Sequence, residues 1–425
     1  MKGHKMLFMS PLVMALLLIA APVPDAWAVA FVQCPEDVDG DGNLSNNPDM
    51  PNISCQHLSG GDGWVKMADG RELYVFGFSD VSNMPASEVL TKGIFRTNSP
   101  APTIHVREGD EFYLTLTNVG TFQRPDLFDP HTVHYHGFPN ASAIFDGLPE
   151  SAVAINQQAS ITYYYNNREP GTYMYHCHVE ATEHMQMGML GNLYVDPLQD
   201  QDGYGGNPST VANKARRAAG DPEDPLAPEG YVYNDGDGST AFDVEYPLQL
   251  QAFYHVFHDA SRDVQPLPFA EMIDTYPTLN GRGYPDTAVA GDLMPPAPNS
   301  CGGDTVFCDQ PSSQPVSSRI EAAAGDRILL RMSNLGIVQH YTITVLGIPM
   351  KVVGRDARLL RGPDGSDVVY ETNVVNLGGG ESADVILDTT GVAAGTYFVY
   401  ATNLNYLSNN EEDNGGYMTE IHLGP

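Results

Sequence analysis

Apolar residues recur at every second position in two places that read almost alike. After Gly109-Asp110 they fall at Phe112, Leu114 and Leu116; after Gly325-Asp326 they fall at Ile328, Leu330 and Met332. A turn followed by strict alternation is the pattern of a β-strand with one buried face. The segments 104–120 (IHVREGDEFYLTLTNVG) and 320–336 (IEAAAGDRILLRMSNLG) align without a gap. Gly171-Thr172-Tyr173 recurs as Gly395-Thr396-Tyr397, again leading into a strand pattern. The repetition predicts two copies of one β-domain of about 130–180 residues, a size usual for a β-sandwich. The expected fold class is therefore all-β, without a long amphipathic helix. The domains are expected at 64–196 and 245–425. An acidic, Gly/Pro-rich linker at 197–244 joins them, and a Cys- and Asp-rich segment at 29–63 precedes them.

Composition narrows the class. With 425 residues the chain exceeds one ordinary core. Its 42 Gly, 32 Pro and 17% charged residues suit a β-rich chain with many turns. Hydrophobic residues at 42% argue against a disordered acidic chain. A formal net charge of −32 excludes a nucleic-acid partner, because a phosphate backbone would be repelled. Lys2 and Lys5, the apolar run 6–21 and Ala26-Trp27-Ala28 read as a cleaved export signal over residues 1–28. That run is short for a bilayer span, and no later segment is apolar enough to make one. The expected location is periplasmic or extracellular, which is oxidising.

Five cysteines are an odd number. Cys34 with Cys55 and Cys301 with Cys308 make two local disulfides the economical reading, although pairing across the two segments stays open. Cys177 is left over, inside His176-Cys177-His178. The other histidine-rich segment is His131-Thr-Val-His134-Tyr-His136, and His184 and Met189 follow the cysteine.

Side chains on a strand alternate between faces. On that parity His134, His136, His176 and His178 form one set. His131 and Cys177 point the other way, with His184 and Met189 available from the following loop. Two imidazoles, one thiolate and one thioether are the ligands of a blue-copper electron-transfer site, with methionine as the long axial ligand. The all-histidine set suits copper that keeps positions open for a small oxidant. Because Cys177 is bonded to both His176 and His178, an electron has a through-bond path between the sets. Zinc gains nothing from an axial methionine, and packing alone rarely assembles this many metal-binding side chains at such spacings.

The motifs His134-Tyr-His136-Gly137, Gly171-Thr-Tyr-Met-Tyr-His-Cys-His178 and His184-x4-Met189 resemble the multicopper oxidases, specifically the two-domain cupredoxin proteins related to small laccases and copper nitrite reductases. The likeness covers most of residues 65–425. It implies two Greek-key cupredoxin sandwiches and a homotrimer. His131, Cys177, His184 and Met189 match type 1 copper ligands. His134, His136, His176 and His178 match the half of a type 2/3 trinuclear cluster that one domain supplies. In such enzymes a neighbouring subunit's second domain supplies the other histidines.

The second domain departs from that pattern. Tyr400, Ala401 and Thr402 stand where His176, Cys177 and His178 stand, Tyr417 where Met189 does, and the His-rich strand keeps only His340. The site is therefore expected to hold fewer copper ions or to recruit His340, His255 or His258; His255 and His258 read more simply as an exposed pair in an insertion. His134 also occupies the place of a catalytic aspartate in nitrite reductases, and Thr402 that of the second-domain histidine, which ranks nitrite reduction lower.

These readings imply an exported copper oxidoreductase. His134, His136, His176, His178 and Cys177 carry the catalysis. A small reduced donor (a phenol or a metal ion) or a redox protein supplies electrons, and O2 is the expected oxidant. The alternative is a blue-copper electron carrier without turnover. Weaker signals remain. Asp37, Asp39 and Asp41, with Gly42, resemble the first half of a calcium loop, but Pro48 stands where the bidentate glutamate belongs. Asn234-Asp-Gly-Asp-Gly238 reads as a turn. Met185, Met187 and Met189 form a methionine cluster, and Glu180 and Glu183 beside them would suit a cationic donor such as Fe(II).

Overall fold

The computed structural model describes residues 30–139, 141–201, 229–296 and 312–425. The export signal, Cys301 and Cys308, and most of the expected linker lie outside the described residues. The fold is mostly β, and the longest of its described α-helices is His255–Arg262.

The first sandwich contains eight strands: β1 (Ile53–Lys66), β2 (Glu72–Asp80), β3 (Ala101–Arg107), β4 (Glu111–Gly120), β5 (His134–His136), β6 (Ser160–Asn166), β7 (Gly171–His176) and β8 (Leu190–Asp196). They form two sheets, ordered β2-β1-β4-β6 and β3-β8-β7-β5. Phe112, Leu114 and Leu116 of β4 enter the shared core with Tyr163, Tyr165, Tyr175 and Cys177. The opposite face of β4 is also covered: Thr117 meets the His57 ring at 2.8 Å and Ser160 at 2.7 Å. The Gly-Asp turns that open the two repeats both place glycine at positive φ, 92° at Gly109 and 103° at Gly325, where a side chain would be strained.

The second sandwich repeats this topology. Strand Val244–Phe253 runs parallel to Arg327–Asn334, as β1 does to β4, and Ile320–Ala323 runs parallel to Met418–Gly424, as β3 does to β8. Two features differ from the sequence reading. β1 starts at Ile53, so the first sandwich begins within the segment expected to precede it. At the other boundary, Gly230–Tyr231 pairs with Ala241–Phe242, and Val232, Tyr233 and Phe242 pack on Leu329, Val353 and Ile386. Apolar burial thus draws the end of the Gly-rich stretch into the second core.

The sandwiches meet along β7 and β8. Thr172 donates to Asp384 at 2.5 Å, Ser382 donates to the Thr172 carbonyl at 2.7 Å, and Gln249 and Ser333 both donate to Asn192 at 3.0 Å. Arg331, 1% exposed, pairs with Glu245 at 2.6 Å and lies 4.9 Å over the Tyr194 ring. Because β7 carries His176, this interface also holds the second domain against the histidines.

Candidate metal centre

Cys177 follows β7 directly, and its N–H donates to the Met189 carbonyl at 3.1 Å. Between these residues the chain forms helix α1 (Ala181–Met187), entered through Glu180 at φ 45°. The helix places His184 Nδ1 3.2 Å from Cys177 Sγ. His131 comes from outside a regular strand: it forms an isolated bridge with Ile155, three residues before β5. Strand parity therefore does not apply to it, yet its ring lies 5.2 Å from that of His184. Donor atoms of His131, Cys177 and His184 lie within 4.8 Å of one another, and all three residues are buried. Met189 is buried in the same core.

His131 Nδ1 is buried and makes no hydrogen bond, which is costly unless something else binds it. An orphan imidazole nitrogen, a second imidazole and a thiol converging with a thioether in the same core fit a copper ion. The electrostatics agree. Burial pushes the Cys177 thiol up, but the His184 charge, with the two imidazoles that converge on the sulfur, outweighs it and holds the thiol well below its ordinary value. Burial pushes His184 down, whereas Cys177 and Asp129 raise it to about 10, so a metal ion entering here would displace the His184 proton.

The second set lies across the same backbone. His134 pairs with His176 between β5 and β7. The His134 ring is 5.3 Å from His176 and 5.1 Å from His178, and the His136 ring is 5.5 Å from His176. His134 Nδ1 bonds the Asp146 carbonyl at 2.6 Å, and His176 Nδ1 bonds the Cys177 carbonyl at 2.9 Å. Each bond fixes Nδ1–H and leaves Nε2 as the free base. His136 Nδ1 stands 3.2 Å from His176 Nε2. Burial lowers His176 to about 3 and, helped by neighbouring imidazoles, lowers His136 as well. Neutral imidazoles are the form that binds metal, and donor atoms of His134, His136 and His176 lie within 4.8 Å of one another, so these three fit copper, while His178 stands outside that group on the same cavity wall. These rings line a cavity of about 490 Å³ whose far wall is residues 335–340 with Gly379 and Gly380.

The equivalent places in the second domain are filled by other chemistry. The Ala401 N–H donates to the Tyr417 carbonyl at 3.0 Å, as Cys177 does to Met189. Tyr341 and Tyr417 pack with ring centres 4.7 Å apart, and Tyr341 donates to Asp274 at 2.7 Å. Thr344 pairs with Tyr400 where His134 pairs with His176. Aromatic bulk and hydroxyl pairs occupy the volume that holds the cysteine and its partners in the first domain.

His255 and His258 require a correction. His258 is fully buried rather than exposed: its Nδ1 bonds the Tyr74 carbonyl at 2.7 Å and its ring packs 4.9 Å from Phe253. His255 is half-buried and bonds Thr275 at 3.0 Å. Neither lines the histidine cavity. Met187 is core, and Met185 packs on Met174, Leu190 and Leu335 at the cavity edge.

Asp129 was not singled out in the sequence. Its Oδ2 lies 3.9 Å from His184 Nε2, and Asp129, Glu180 and His184 bring donor atoms within 4.8 Å of one another. With Arg124, Glu183 and Phe269, Asp129 and Glu180 line a separate cavity of about 530 Å³. Burial, with the charges of Glu180 and Asp129, raises Glu183 to about 7 against the opposing charges of His184 and Arg124. The Asp-Pro-His131 sequence offers no hint of this contact, since Asp129 meets a histidine from another segment.

At the N-terminus Cys34 and Cys55 form a disulfide. Asp37, Asp39 and Asp41 converge within 4.8 Å, and each also accepts a loop N–H: Gly42 at 3.0 Å, Asp41 at 3.3 Å and Asn43 at 2.7 Å.

Comparison with known proteins agrees with this architecture. Multicopper oxidase family models match residues 86–200 and 245–422, together more than half of the chain. The multicopper oxidase MmcO of Mycobacterium tuberculosis is 33% identical over 95 residues, which span 22% of this chain and 17% of that protein. The blue copper oxidase from Nitrosomonas europaea superposes with a TM-score of 0.58 at 22% identity, covering 87% of this chain and 86% of that one. The copper nitrite reductase from the same organism gives a TM-score of 0.53 at 15% identity, covering 88% and 94%. These two superpositions show a shared cupredoxin fold. This chain belongs to the multicopper oxidase family, a family of copper oxidoreductases.

Proposed function

We propose that this chain is an exported copper-dependent oxidoreductase. It takes single electrons from a reduced donor at the His131/Cys177/His184/Met189 site and delivers them to an oxidant, O2, in the cavity of His134, His136, His176 and His178. One observation carries the reading: Cys177 sits in the first cluster, while its bonded neighbours His176 and His178 line the second. Bound copper would supply reversible one-electron chemistry at both places. The chain's own part is to keep the thiol anionic, His134, His136 and His176 neutral and the two sites joined by covalent bonds.

The acidic cavity beside His184 favours a small cation as donor, such as a reduced metal ion, over a phenol or a redox protein. The signal-like N-terminus and the Cys34–Cys55 disulfide support export to an oxidising compartment. The family resemblance supports a homotrimer, for which light scattering is the check. Convergence of Asp37, Asp39 and Asp41 supports a calcium ion at the N-terminal loop; a calcium-dependent rise in melting temperature is expected there.

Copper analysis with EPR on the purified mature protein tests the main reading. At least two coppers per chain, with type 1 and type 2 signals and O2 uptake with a donor, are expected. A second reading, a blue-copper carrier, is favoured by Thr344 and Tyr400 standing where the second domain would offer histidines. It predicts a type 1 signal alone. Nitrite consumption in place of O2 uptake would instead assign a nitrite-reductase-like reaction.

A further inference from the structure

The far wall of the histidine cavity comes from the second domain of the same chain. Leu335 to His340 run along it, and His340 stands at its exposed rim. The loop is anchored by Asn334. Its side chain donates to the Leu377 carbonyl at 3.0 Å and accepts from the Gly336 N–H at 2.7 Å, and its carbonyl accepts from Gly380 at 2.8 Å. The 335–340 loop and the 378–380 turn are therefore tied to each other through Asn334.

That turn is shaped around two imidazoles. A Cβ at Gly380 would lie 2.6 Å from His136 Nε2, and a Cβ at Gly378 would lie 2.6 Å from the His340 ring. Glycine at both positions lets the backbone pass between a first-domain histidine and a second-domain histidine. The sheet positions equivalent to His134 and His176 carry Thr344 and Tyr400 instead, so a neighbouring copy would bring no imidazole on that ladder. His134, His136 and His176 bring donor atoms within 4.8 Å of one another, and neither His178 nor His340 belongs to that group. His340 faces whatever small molecule fills the space between the walls.

We infer that His340 is a positioning residue supplied in cis. Its imidazole N–H holds the small oxidant or anion bound in the cavity from the wall opposite the four histidines, so each chain builds its own complete pocket. This rests on the reading that the four-histidine set carries copper. The probe is azide, titrated into the copper-loaded full chain and followed by EPR and its charge-transfer band.

His340→Ala is expected to keep full copper content while raising the azide dissociation constant about tenfold, the size of a lost hydrogen bond to a charged group. His340→Gln, which retains an N–H donor, should recover part of that loss. Gly378→Ala, which crowds the ring without touching a ligand, should weaken azide in the same direction. Unchanged azide affinity in His340→Ala overturns the assignment. So does loss of copper, which would make His340 a ligand instead. Co-expression of His340→Ala with His136→Ala separates cis from trans. A cis pocket yields no sites of wild-type azide affinity, and their appearance overturns the cis arrangement. Absence of the histidine-site copper signal in the wild-type protein is a different failure, that of the underlying reading, and removes this inference with it.

Discussion

Asp129 offers the sharpest test of how a donor approaches the protein. Its carboxylate stands 3.9 Å from the outer nitrogen of His184 and lines the same cavity as Glu180 and Glu183. A divalent cation about 4 Å from one carboxylate gains about 2 kcal/mol even at the dielectric constant of water, and more where the walls exclude solvent. Salt at physiological strength trims this only partly over so short a distance. Asp129→Asn should therefore raise KM for a ferrous donor by roughly tenfold to a hundredfold at low salt, with the loss shrinking as salt is added. A neutral phenol has no such attraction, so its KM should hardly move. Any change in the redox balance of the neighbouring site would instead appear in kcat for both donors alike. Steady-state kinetics with the two donors at two ionic strengths gives the comparison. Equal KM shifts for the cation and the phenol would refute the idea that this cavity recruits a cation.

Three further outcomes follow from the geometry. Cys177→Ser should abolish the visible thiolate–copper band while leaving the histidine-site EPR signal, since His134, His136 and His178 keep their places; loss of both signals would mean that the sites do not load independently. Arg331→Met should lower stability by about 3 kcal/mol in guanidinium titration, because it leaves Glu245 and the buried Asp384 without their cation, and adding Glu245→Gln should recover part of the loss. Glu183 is held to about 7, above its ordinary value, so stability falls as pH rises from about 4.5 to about 7 and the full loss is present above that. Glu183→Gln should accordingly raise the melting temperature more at pH 8 than at pH 5, and a pH-independent shift would count against a buried carboxyl at that position.

Most of the candidate ligand residues of the first domain could be read from the sequence because they sit in or directly beside two paired strands. His134 and His136 share β5, and His176 ends the paired strand β7 with Cys177 and His178 directly after it. The stripped second domain was equally visible, since Tyr400, Ala401 and Thr402 replace the cysteine motif residue for residue. Contacts between distant segments were not visible. Asp129 meets His184 only because helix α1 turns back over the loop before His131. His258 is buried because Tyr74 and Phe253 close over it, which an isolated His-x-x-His does not announce. His340 could be named as a spare histidine, but its wall was fixed by the packing of β7 and β8 on the second sandwich. The end of the Gly-rich stretch looked like linker because three apolar side chains, Val232, Tyr233 and Phe242, decide its burial and the glycines around them dominate its composition.

The hydrogen bond from Ala401 to Tyr417 duplicates that from Cys177 to Met189 without any metal-binding side chain at either end. One molecule therefore contains the same loop closure twice, once with a cage for an ion and once with tyrosines in its place. The scaffold does not depend on the ion for its shape. The loop closure can then form before any ion is bound, so that copper enters a cage that is already folded.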